Sequence, residues 1–125
     1  MSDEPEVTTT LVEDVRVVRV SGEFDPDEAA ALAEALAVPS DGAALGLVVD
    51  LAHVAFADSS FLHALIDAQL RHRDARVPLV LAAPGPLVVR LLELTDTARV
   101  FTLTPTVEAA VEAVRGARTD GRSLR

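Results

Sequence analysis

From Leu45 to Leu51 only Gly46 and Asp50 interrupt a run of apolar side chains. A strand with one wet face alternates polar and apolar residues; a strand covered on both faces reads as continuously apolar. The run is too short for a buried helix. A central strand with layers packed on both sides is therefore expected, and Val77 to Ala82 repeats the signature.

The segments around these strands fix the class. Val7 to Leu11 and Val15 to Val20 read as two strands joined by a turn at Val12-Glu13-Asp14. In the second, Val15, Val17 and Val18 set against Arg16 and Arg19 suggest an antiparallel hairpin with one wet face. Asp25 suits an N-cap, with Pro26 at the first helical position and Glu28 at the third. Ala29, Leu32, Ala33 and Leu36 then share one face of a helix over 26–37, ended by the turn Pro39-Ser40-Asp41-Gly42. After the central strand, 52–57 reads as a short connection. A second helix follows, with Leu62, Leu65, Ile66 and Leu70 inward and His63, Asp67, Arg71 and Asp74 outward. A short helix from Pro86 to about Leu94 and a last short strand from Arg99 to Leu103 come next. Thr104-Pro105 opens a final helix carrying Val107, Ala110, Val111 and Val114 on one face, with Gly116 as its stop.

The expected order is ββαβαβαβα: an α/β domain whose mixed sheet has parallel central strands flanked by about four helices. One domain over 7–116 is expected, between a flexible acidic segment at 1–6 and a flexible polar tail at 117–125.

Composition narrows the chemistry. The chain has 125 residues, no Cys and a formal net charge of −9. Without Cys there is no disulfide or thiolate metal site. An acidic balance disfavours nucleic acid as a partner. The start, Met1-Ser2-Asp3-Glu4-Pro5-Glu6, lacks the basic and apolar regions of a signal peptide, and no stretch reaches the about 18 apolar residues of a membrane span. A cytoplasmic protein is expected. His53, His63 and His72 lie ten and nine residues apart, not at ligand spacing, so no metal site is expected and all three are read as surface residues. His63 and Asp67 read as a solvated i,i+4 pair. No G-x-S-x-G, G-x-G-x-x-G or Walker loop occurs, and no nucleophile–base arrangement can be named. Neither a catalytic residue nor a cofactor is therefore expected.

The informative junction is Asp58-Ser59-Ser60, between a buried strand and a helix. Free N–H groups at a helix start favour negative charge. Either Asp58 or Ser59 can cap the helix. A serine exposed there can also carry a phosphate, which adds about −1.5 to −2 charges beside Asp58.

Four segments resemble one known family in order and spacing: Ser-Gly-Glu-Phe-Asp (21–25), Leu-Val-Val-Asp-Leu (47–51), Phe-Ala-Asp-Ser-Ser (56–60), and Val-Arg-Leu-Leu-Glu-Leu-Thr (89–95) followed by Arg99-Val100-Phe101. Over residues 7 to 115 the chain is similar to the STAS domains of bacterial anti-sigma-factor antagonists. The resemblance implies a partner switch. The unmodified domain binds an anti-sigma factor, often a serine kinase, and so frees a sigma factor. Phosphorylation releases the domain, and a phosphatase resets it. The phosphoacceptor falls on Ser59, with Ser60 as the alternative. The implied partner-binding residues are Asp25, Asp58, Ser59, Ser60, Phe61 and Leu62.

One departure stands out. The family continues Asp-Ser-Ser-Gly-Leu-Gly or Asp-Ser-Thr-Gly-Leu-Gly, where this chain has Phe61 and His63 in place of both glycines. Phe61 is either an exposed anchor for a partner or a side chain folded against its neighbours. The first alternative to a switch is an unphosphorylated STAS scaffold or accessory subunit of a signalling or transporter complex.

Overall fold

The computed structural model describes residues 6–23, 26–38, 44–56 and 58–123. Asp25, residues 1–5, the turn at 39–42 and Ala57 lie outside the described residues.

The elements in chain order are β1 (Glu6–Val12), β2 (Val15–Glu23), α1 (Pro26–Ala35), β3 (Leu47–Phe56), α2 (Ser59–Asp74), β4 (Leu79–Ala82), α3 (Pro86–Leu94), a 3₁₀ turn (Ala98–Val100), β5 (Thr102–Thr104) and α4 (Val107–Ser123). The five strands lie in the order β1-β2-β3-β4-β5. The β1–β2 pair is antiparallel and the other three pairs are parallel. Because the strands advance in one direction, right-handed crossovers place α1, α2 and α3 on the same face.

The core is split by the sheet, as the continuous apolar run requires. Leu47, Val49 and Leu51 of β3 join Leu32, Leu36, Leu65, Val88 and Leu92 under α1–α3. Val48 points the other way and joins Val80, Ala110, Val111 and Val114 under α4. Gly46 has a packing reason: a Cβ there would come 2.5 Å from Val114 Cγ1 and 2.8 Å from the Pro78 carbonyl oxygen. The missing side chain lets α4 settle onto the start of β3.

Several sequence expectations are corrected. β2 is not a one-sided wet strand: Val15 and Val17 pack under α4, Val18 and Val20 pack under the other helices, and of its described side chains only Arg19, on the α4 side, is exposed. It is an interior strand, and the wet strand is β1, where every residue but Val7 is exposed. β3 does not stop at Leu51. It continues through Phe56 because β2 still pairs with it there, after a register break beside Gly22. Gly22 takes a φ of 93°, which glycine adopts without strain. Beyond Asp50, β3 has lost its other neighbour, since Asp50↔Ala82 is the last β3–β4 partnership.

The inward face of α2 comprises Phe61, Leu62, Ala64, Leu65, Ala68 and His72. Leu70 is exposed instead, and His72, read as a surface residue, is buried. Ala64 and Ala68 turn toward the core, and small side chains there rotate the buried stripe by about one position. Ala33 of α1 is also exposed. The cap of α4 is Thr106, whose Oγ1 accepts from the Ala109 N–H at 3.0 Å, rather than Thr104-Pro105. The last strand begins only after the 3₁₀ turn. Gly116 does not stop α4, which runs on to Ser123. A mid-helix Gly costs about 1 kcal/mol against Ala, a weakening and not a break, and Ala113, Ala117 and the arginines around it favour helix.

Candidate functional site

β3 carries the chain to the end of the sheet, and α2 turns back from it. Asp58 sits at the corner in extended conformation, with φ −124° and ψ −166°. Its Oδ1 accepts the N–H of Ser60 at 2.9 Å and of Phe61 at 3.2 Å. The first intrahelical bond runs from Leu62 N–H to the Asp58 carbonyl at 3.1 Å. Asp58, not Ser59, is the cap.

This arrangement sorts the residues of the corner. Ser59 is the first helical residue and is exposed; Ser60 and Asp58 are half-buried. Phe61 is only 1% exposed and Leu62 5%. Both belong to the core under α1–α3. Of the two readings of Phe61, the structure has the inward one, so neither Phe61 nor Leu62 offers its side chain to a partner. Asp25 lies outside the described residues.

His63 is exposed on the outer face of α2. Asp67 pairs with Arg71 at 2.9 Å, four residues on, and not with His63. Among the described residues, no group of three or more His, Asp or Glu could hold a metal ion. No described helix is long and apolar enough to cross a membrane.

Two features of the surroundings were not read from the sequence. The first is Asp50. Its carboxylate is buried, lies 3.4 Å from Arg19 Nε and accepts the Ala52 N–H at 3.1 Å. Arg19 and Asp50 are directly paired across β2 and β3. Here a groove of about 540 Å³ opens over Thr8, Thr10, Arg19, Asp50 and His53, bounded by Thr106 and the first residues of α4, Val107 and Glu108. The lone acid in an apolar run was the available signal. The second is α3, whose Leu87 and Leu94 are 46% and 73% exposed while Val88 and Leu92 face the core. These leucines lie in the same helical layer as α2.

The family model described as "Mlab, STAS domain" matches residues 7–105. No curated protein matches the chain. Among solved structures, an anti-sigma factor antagonist from Mycobacterium paratuberculosis is 31% identical, with a TM-score of 0.76 over 92% of this chain and 99% of that one. A sulfate transporter family protein from Wolinella succinogenes has a TM-score of 0.73 at 15% identity, over 86% of this chain and 90% of that one. The Bacillus cell fate determinant SpoIIAA in its phosphorylated form has a TM-score of 0.62 at 17% identity, over 89% and 99%. With a hairpin, parallel strands, three helices on one face and a capped corner after β3, and with the family model spanning most of its length, this chain belongs to the STAS domain family.

Proposed function

We propose that the chain is an anti-sigma-factor antagonist: it binds an anti-sigma factor through the corner at Asp58-Ser59-Ser60 and is released when Ser59 is phosphorylated. The observation that carries this reading is the exposed Ser59 hydroxyl at the first position of α2. Beside it, the Asp58 carboxylate already occupies the N–H groups of Ser60 and Phe61. A phosphate arriving at Ser59 meets that carboxylate and finds two of the helix's free donors taken. The result is a concentrated block of negative charge on a contact surface. The protein in this reading is a binding module of the cytoplasm and not an enzyme. Its partner is an anti-sigma factor that is itself a serine kinase, and a phosphatase restores the free hydroxyl. The exposed Leu87 and Leu94 supply apolar contact area in the same helical layer.

The test is incubation with the anti-sigma kinase and ATP, followed by mass spectrometry of the intact protein and its peptides. One phosphate on Ser59 is expected, with none on a Ser59→Ala protein and loss of the complex on modification. Equal phosphate incorporation by Ser59→Ala ends the assignment, and transfer to Ser60 moves it one residue.

A second reading is favoured by a specific observation. Phe61 and His63 replace both glycines of the family pattern, and the fold is shared with a sulfate transporter family protein. An unphosphorylated scaffold or accessory subunit fits these facts. Recovery of transporter or scaffold subunits from native cells, with no kinase, would favour it.

A further inference from the structure

We infer that β1 is a self-complementary edge through which two copies of this chain pair in antiparallel fashion about Thr9, joining their sheets. Sheet edges are normally guarded by shortness, proline, charge or a bulge. The other edge obeys: β5 has three residues and is followed at once by a bend containing Pro105. β1 has seven residues, Glu-Val-Thr-Thr-Thr-Leu-Val, with no Pro, a single charge on Glu6 at its outer end and an unbroken register against β2.

The turn decides which backbone groups face outward. Glu13 and Asp14 have φ values of 50° and 68°, and Val12 is directly opposite Val15. This is the two-residue hairpin whose central residues both take positive φ. The residues flanking such a turn exchange both of their hydrogen bonds. Alternation along the pair then turns Thr10, Thr8 and Glu6 toward β2. Leu11, Thr9 and Val7 turn their N–H and C=O groups to the open edge.

In an antiparallel pair about Thr9, these three residues meet each other. Thr9 opposes Thr9 of the second copy, and Val7 opposes Leu11 in both directions. All outward donors and acceptors of the three residues are used, in six hydrogen bonds related by a two-fold axis. Registers shifted by two residues lose at least one of these pairs. The side chains agree. Val7 already packs against the core under α1–α3, while Leu11 is 62% exposed; pairing covers Leu11 with Val7 of the other copy.

The register makes a specific experiment available, because the chain has no Cys of its own. Thr8 of one copy opposes Thr10 of the other in a non-hydrogen-bonded pair, with Cα atoms about 4.5 Å apart, within disulfide reach. Along one strand the same two positions are about 6.8 Å apart with parallel Cβ vectors, which prevents an internal bridge. A Thr8→Cys/Thr10→Cys protein should link into covalent dimers under mild oxidation, while either single variant should not. Thr9→Pro removes both central hydrogen bonds and none to β2. At about fivefold per bond it should weaken the dimer seen by sedimentation by about 30-fold, with an unchanged circular dichroism spectrum. The inference is overturned by an unlinked double variant, by single variants that link as fast as the double, or by a dimer fraction unaffected by Thr9→Pro.

Discussion

Replacing Asp58 by Ala tests the corner where its geometry is most explicit. The substitution leaves the N–H groups of Ser60 and Phe61 without the carboxylate that binds both. Loss of a cap of this kind costs about 1 kcal/mol. Loss of a negative charge at a helix start adds about 0.3–1 kcal/mol. The sum, about 1–2 kcal/mol, converts through an unfolding entropy of about 2.1 cal/mol/K per residue. For a chain of 125 residues, the melting temperature should fall by about 4–8 °C. Asp58→Asn keeps the acceptor and drops the charge, so it should fall by about 1–4 °C. Thermal melts followed by circular dichroism check both. If Asp58→Ala melts within a degree of the parent, or Asn falls as far as Ala, the cap is not doing what its distances say. The same pair of variants reads the electrostatics of the proposed switch. Charges of −1 and −2 about 6 Å apart in water repel by about 1.4 kcal/mol, so phosphorylation of Ser59 should destabilise the parent more than Asp58→Ala. Added salt should narrow the difference.

Three further outcomes are expected. Phe61→Gly, which restores the residue common in the family pattern, should destabilise by at least the about 3–5 kcal/mol of a buried Phe→Ala change; urea denaturation checks it, and a loss below about 1 kcal/mol would contradict the burial of Phe61. Asp14→Gly should stabilise by about 1 kcal/mol, because Asp14 holds a φ of 68° at a steric cost glycine does not bear. His72 is held below its ordinary value by burial, opposed in part by its hydrogen bond with the Ala68 carbonyl and reinforced slightly by the charge of Arg16. The unfolded chain therefore takes up the proton first. The stability due to neutral His72 is complete above about pH 6.5 and drains away as pH falls from there toward the folded-state value. Denaturation at pH 7.5 and 5.5 should show a smaller gap for His72→Leu than for the parent.

The fold was legible because its strongest signals are long-range demands written locally. A run such as Leu47–Leu51 makes sense only if both faces are covered, and alternation with amphipathic helices then leaves one architecture. The misreadings share a cause: each depends on how one element sits on another. Nothing in Ala52–Phe56 announces a strand; β2 makes it one. His72 and Leu70 exchange inside for outside because Ala64 and Ala68 set the roll of α2. Gly116 carries a stop signal that the surrounding helix overrides. At the site, the Asp-Ser-Ser corner and its exposed serine followed from capping chemistry. The inward turn of Phe61 depends on the space in the core under α1–α3, which only the packed structure reveals.

The unequal length of β3 and β4 has a mechanical meaning. From Ala52 onward β3 is a cantilever, fastened along one side only, and the Asp58 corner hangs from its free end. A region bonded on a single side opens at lower cost than the sheet that anchors it. Backbone amides of 52–56 should therefore trade their hydrogens for deuterium before those of 47–50. In the proposed complex, a partner pressing on Ser59 would bend the tip of the beam while the wall it is set into stays still.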